Sequence, residues 1–326
     1  MTGRATASIF LLAIALAFAL PAAADKLKKK DTIASLEEET FEVRPGSIIV
    51  DSSDKARDNY RGFLDLVSDD PNLQAEAMRR LADLELEAGE AAQLAENAGA
   101  VEFESYDNAV GLFHALLDKY PDYERNDSVL YQLARAYEIA GETDDALRVL
   151  NDLVARYPDT PLIDEVQFRR GEMLFLRKQY NDAEIAYSHV VQSGDSSRFY
   201  EQSLYKLGWS QFKLAWHEDS LDPFFTLLKR KIGDIELQDG DDRLVALSRA
   251  DRELVEDTFR VLSIGFSYMG GAESITDFFA TNGAPEYAYV VYMNLGDLYL
   301  EKERYQDAAE TYEAFVALDP NHRKAP

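Results

Sequence analysis

The chain has 326 residues, 46% of them hydrophobic, and carries 34 basic against 60 acidic side chains, a formal net charge of −26. That is ample apolar material for a folded core, and the charge argues against nucleic acid as the main ligand, because phosphate recognition needs clustered Lys and Arg. The chain has no cysteine, which excludes disulfides, thiolate metal sites and a lipid-bearing cysteine at a processed N-terminus.

Arg4 precedes an apolar run over residues 9–20, and Pro21 is followed by Ala22, Ala23 and Ala24. A positive start, a short apolar stretch and a small-residue end are the parts of a cleaved secretory signal. The run is also shorter than the ~20 residues a spanning helix needs. Residues 1–24 are therefore expected to be a signal peptide, which leaves no integral membrane span after cleavage and puts the protein in a periplasm or outside the cell. Residues 25–50 hold Lys28, Lys29 and Lys30, then Glu37, Glu38 and Glu39, then Pro45 and Gly46. They read as a flexible leader.

From residue 51 onward one pattern dominates. Ala109, Ala146, Ala183 and Ser220 recur at intervals of 37 residues, each with an aspartate one or two positions before it, and Ala308 repeats the element near the C-terminus. Twelve residues earlier stands a small residue (Ala134, Gly171, Gly208, Gly296). Four residues later stands a large one (Leu150, Tyr187, Phe224, Tyr312), and Pro121, Pro158 and Pro320 follow the Ala109, Ala146 and Ala308 copies. Small residues on two helices let their backbones approach, aspartate suits the first turn of a helix, and proline stops one.

These positions together resemble the tetratricopeptide repeat, and the resemblance implies an all-α, right-handed α-solenoid of helix-turn-helix units. Residues 51–230 then form an array with an insertion near 89–101, opened by a helix around Ala56, Tyr60 and Phe63 and by a first helix over 71–87. A second insertion covers 231–250. Residues 251–326 hold a degenerate unit anchored at Ser274, with Leu262, Gly265 and Phe278 in frame and Gly270-Gly271 at its turn, and one well-formed unit. The last unit has no polar capping helix after it. The array is therefore expected to continue beyond Pro326, to be covered by a partner, or to self-associate there.

Chemistry is sparse. His114, His189, His217 and His322 lie far apart, and Leu221 stands where a zinc-protease motif begun at His217-Glu218 would need its second histidine. No zinc or other metal site, phosphate-binding loop, nucleophile elbow or cofactor is expected. Asp239, Asp241 and Asp242 lack the alternating ligands of a helix-loop-helix calcium site and read as a solvated turn.

The resemblance also implies a concave groove lined by the first helices, at positions that can be carried over one by one. They are Tyr131, Arg135 and Glu138 in the unit beginning at Asp127, Phe168, Glu172 and Phe175 in the unit beginning at Asp164, and Tyr205, Trp209 and Phe212 in the unit beginning at Glu201. Two readings stand side by side: a groove that takes a hydrophobic or aromatic segment of a protein partner, and a stripe that packs against the neighbouring helix. The 37-residue spacing, the elements Tyr120-Pro121-Asp122 and Tyr157-Pro158-Asp159 and the export signal resemble the envelope repeat proteins of Gram-negative bacteria, of the barrel-assembly lipoprotein and Tol-Pal coordinator types. The expected function is a non-catalytic periplasmic scaffold or adaptor binding envelope proteins. The alternative is the binding module of a larger secreted enzyme or of a secretion or motility machine.

Overall fold

The computed structural model describes residues 50–67, 69–93, 100–233, 247–322 and 324. The expected signal peptide, the leader up to residue 49, the middle of each expected insertion and the acidic turn at Asp239 lie outside the described residues.

Thirteen α-helices and no strand occur among the described residues: α1 (Val50–Leu66), α2 (Pro71–Gln93), α3 (Ala100–Lys119), α4 (Asn126–Ile139), α5 (Thr143–Arg156), α6 (Ile163–Leu176), α7 (Tyr180–Gln192), α8 (Tyr200–Lys213), α9 (Leu221–Ile232), α10 (Arg249–Tyr268), α11 (Ala272–Asn282), α12 (Ala288–Glu301) and α13 (Tyr305–Leu318). They pair in order as helix-turn-helix units, α2 with α3 through α12 with α13, and α1 packs on α2. The chain is thus an all-α solenoid of repeated helical hairpins. None of the described helices is long and apolar enough to cross a membrane.

The small-and-large pairing read from the sequence closes the hairpins at Gly171, Gly208 and Gly296. A Cβ placed on Gly171 would lie 2.7 Å from the ring of Tyr187, one on Gly208 2.7 Å from Phe224, and one on Gly296 2.4 Å from Tyr312. Each ring lies where a side chain on the first helix would be, and Tyr187 and Phe224 are almost fully buried. In the unit at Ala134 the corresponding residues, Ala134 and Leu150, are both buried in the same cluster.

Four of the turns inside the hairpins share one geometry. Gly141, Lys178, Ala215 and Glu303 take left-handed φ values of 82°, 61°, 60° and 58°. The next residue in each case (Glu142, Gln179, Trp216, Arg304) donates its N–H five residues back, to the carbonyls of Tyr137, Leu174, Gln211 and Tyr299. This is the helix-ending pattern in which a left-handed residue satisfies carbonyls that the helix leaves open.

Two departures from the regular unit matter. Near 89–101 helix α2 runs on to Gln93 and α3 begins at Ala100, making them 23 and 20 residues long against 14 in α4, α5 and α6. A Cβ placed on Gly89 would lie 2.7 Å from the ring of Tyr106, and Ala82, seven residues before Gly89, and Phe113, seven after Tyr106, are fully buried. The extra sequence therefore lengthens a hairpin by about two turns per helix.

The second departure corrects the frame of the degenerate unit by one residue. The amide of Ile275 bonds to the carbonyl of Gly271, as those of Ala146, Ala183 and Ala308 bond to Glu142, Gln179 and Arg304. The small-residue slot of α11 is thus held by Ile275, not Ser274, and the equivalent pair is Ser263 and Phe279, all three buried. The shift arises in the turn, where Gly271 takes φ 64° and the Ser274 hydroxyl accepts from the Gly270 amide. With isoleucine in place of a small residue, α10 and α11 stay apart, and α10 packs mainly on α12 and α9.

Candidate functional site

The first helices α4, α6, α8 and α10 stand side by side and are joined by side chains that reach from one unit to the next. At the start of α4 and of α6 a carboxylate takes a bond from the connection that follows its unit. Asp127 accepts from the Thr160 hydroxyl at 2.6 Å and Asp164 from the Ser193 hydroxyl at 2.7 Å. Glu201 and Asp251 share the Lys231 ammonium at 2.6 and 2.7 Å, which ties α8, α9 and α10 at one point. This pairing holds the Lys231 charge more firmly than in water, against the opposing effect of burial.

The nine residues expected to line a groove sit on this ladder, and each makes at least one contact across a unit boundary. In α4 the Tyr131 hydroxyl donates to Glu165 of α6 at 2.5 Å, Arg135 pairs with Glu90 of α2 at 2.6 Å, and Glu138 pairs with Arg169 of α6 at 3.0 Å. In α6 Phe168 stacks on Phe199 at 4.7 Å, Glu172 pairs with Lys206 of α8 at 3.0 Å, and the same ammonium lies 5.1 Å from the centre of the Phe175 ring. In α8 the Tyr205 hydroxyl donates to Asp257 of α10 at 2.5 Å, and Arg260 sits 5.8 Å over Trp209. Phe212 lies 6.3 Å from Tyr268. Eight of the nine are half-buried and Glu138 is exposed.

The electrostatics follow from half-burial. Burial first, and then donation to the Glu165 carboxylate, push the Tyr131 hydroxyl up to about 12. Tyr205 and Tyr187 are raised for the same two kinds of reason, Tyr187 donating to Glu172 at 2.5 Å. Burial would raise Glu165, but the Tyr131 hydroxyl and the Arg169 and Arg198 guanidinia outweigh it and its carboxyl ends below the usual range. The raised tyrosine hydroxyls stay protonated and Glu165 ionised, the states that keep the Tyr131–Glu165 bond made.

The repeat period places the rungs but not everything they touch. Arg169 and Lys206 are 37 residues apart, each directly after an expected groove aromatic, so the repeat period itself carried the signal. Asp257 and Arg260 lie beyond the break in phase, where no fixed spacing could point to them. Around Trp209 the face is rich in rings and cations: Tyr205 and Phe212 on its flanks, Tyr268 against Phe212, Lys213 5.2 Å over the ring and Arg260 on the other unit. Such a surface offers ring edges, guanidinium planes and carboxylates that a polypeptide can engage. Among the described residues no group of three or more acidic or histidine side chains is placed to hold a metal ion.

Residues 100–169 and 289–322 each match a family model described as the tetratricopeptide repeat. The first stretch runs from α3 into α6 and the second covers α12 and α13. No curated protein matches the chain. Among solved structures, the C-terminal part of the TPR repeat-containing protein from Cytophaga hutchinsonii is 15% identical, covering 84% of this chain and 93% of that one with a TM-score of 0.41. MamA from Desulfovibrio magneticus RS-1, from residue 41 to its end, is 14% identical, covering 74% and 97% with a TM-score of 0.36.

Proposed function

We propose that this array of tetratricopeptide repeats is a non-catalytic scaffold or adaptor of the bacterial periplasm, holding protein partners in envelope assembly or maintenance through its first-helix face. Repeats of this kind bind proteins, and the observation that carries the reading further is the ladder itself. Half-buried aromatic and charged residues recur at one place in three successive units and run into α10, giving a surface whose chemistry suits a polypeptide segment. A partner residue placed between two units would exchange with existing pairs such as Glu138 with Arg169 or Glu172 with Lys206, so recognition would rest on charge exchange and ring contact rather than on an empty pocket.

The periplasmic part of the proposal rests on residues 1–24, with their apolar run and the alanines after Pro21. Fractionation of the native cell with intact-mass measurement tests it. The expected result is a protein in the periplasmic fraction lacking its first 24 residues, co-purifying with envelope proteins after mild crosslinking. A full-length mass in the cytosolic fraction, with cytosolic proteins crosslinked, would overturn it.

A further inference from the structure

Loose packing of the degenerate unit has a second consequence. Between the second helices α9 and α11 lie two adjoining depressions of about 440 and 390 Å³ that share Phe278 and Asn282 in their walls. They run together from the turn at Met269 to the α11–α12 connection at Pro285. The floor is aromatic: Phe225 stacks on Phe278 at 4.6 Å and meets Phe279 edge-on at 5.7 Å. The rim is acidic. Glu218, Asp222 and Asp277 are exposed and have no ion-pair partner among the described residues, and Lys229 is the cation in the lining.

We propose that this α9–α11 groove is a second docking surface, for a cationic amphipathic segment of a partner protein. Its apolar side would lie over Phe225 and Phe278 and its Lys or Arg side chains against Glu218, Asp222 and Asp277. Charge complementarity selects the occupant. A second copy of this chain would bring a formal charge of −26 to an acidic rim, whereas a basic segment relieves it. Size agrees: α9 and α11 have 12 and 11 residues, so the walls are ~16–18 Å long, the span of about three turns of a docked helix. The groove lies on second helices and does not involve the first-helix face, so either surface can fail its test without the other.

The test uses the full chain and a fluorescent 14-residue Leu/Lys helical peptide, with the Leu/Glu version as its control, followed by anisotropy at about 0.15 M salt, where long-range charge is screened. Saturable binding of the Lys peptide alone is expected. Glu218→Lys with Asp277→Lys should weaken it at least tenfold. Glu301→Lys with Glu313→Lys, an equal charge change at exposed positions outside the groove, should change it less than twofold. Phe278→Ala should weaken it about fivefold; should that variant lose helical signal, the exposed pair at 218 and 277 still decides. Equal weakening by both charge pairs, no binding of the Lys peptide, or equal binding of the Glu peptide would each overturn the proposal. Binding gained only on removal of residues 234–246 would do so as well, because the groove's occupant would then be the chain itself.

Discussion

A glycine in mid-helix ordinarily weakens the helix, and replacing it with alanine should add roughly 0.5–1 kcal/mol. At Gly171 the sign reverses. The new Cβ would stand 2.7 Å from the ring of Tyr187, which is fully buried and whose hydroxyl is held by Glu172. Overpacking of this kind costs about 1–3 kcal/mol. Gly171→Ala should therefore lower unfolding free energy by about 1–2 kcal/mol, while Gly111→Ala, on exposed α3 surface with nothing within 4 Å, should raise it. Paired denaturant melts check this, and two changes of the same sign would refute the close-approach account. The turns supply a mirror case. Ala215 holds a left-handed φ of 60° and Gly141 one of 82°, a region that costs a side-chain-bearing residue about 1 kcal/mol or more. Ala215→Gly should stabilise and Gly141→Ala destabilise, each by about 0.5–1 kcal/mol. Only Gly141 announced this turn in the sequence. Lys178, Ala215 and Glu303 gave no local sign of it, because packing around the hairpin imposes the conformation on residues that do not favour it.

At the scale of helices, the joints between units and the one weak hairpin are the informative places. Tyr131 of α4 donates to Glu165 of α6, and its hydroxyl is raised to about 12 from an ordinary value of 10. The folded state holds that proton more tightly than the unfolded chain does. Its stabilising contribution is therefore complete below pH 10 and is lost as pH climbs through 12. Melts across pH 9–12 should show stability falling over that interval, and Tyr131→Phe should make the fall shallower; a parallel curve would mean that the bond carries no linkage. Helix α11 is held by few contacts and buries only Ile275 and Phe279, whereas α12 buries six residues. Its amides should exchange with solvent well before those of α12 or α6, as measured by hydrogen exchange with mass spectrometry. Equal protection would contradict the loose packing attributed to Ile275. The existence of this unit was legible in Gly270-Gly271 and the apolar residues around it, but its register was not. The sequence frame relied on a small residue in the second helix, and here the small residue, Ser263, is on the first helix alone.

At the scale of the molecule, most buried apolar side chains among the described residues fall into two clusters. One runs from α2 to Leu207 of α8 and the other from Leu221 of α9 to Phe315 of α13. Stability in such an array is a sum of unit and neighbour terms, so the side chains that cross between units matter more than any single core. The repeat architecture was legible because close approach of two helices needs the same residue sizes at the same positions every 37 residues. The ladder was half legible: its rungs repeat with that period, but their partners beyond the phase break do not. Whether these rings bind a partner was not legible, since a ring at this spacing can pack against the neighbouring helix or face a ligand, and the sequence does not tell how far each is exposed.

If the first-helix face holds a protein partner in the envelope, as proposed, site-specific photocrosslinking in the native cell will capture that partner there. A photoreactive residue at Glu138, exposed on α4, or at Phe212 of α8 should form adducts with envelope proteins. The same residue at Ile185, exposed on the second helix α7, should form few or none. Adducts confined to Ile185, or none from Glu138 and Phe212, would contradict the account.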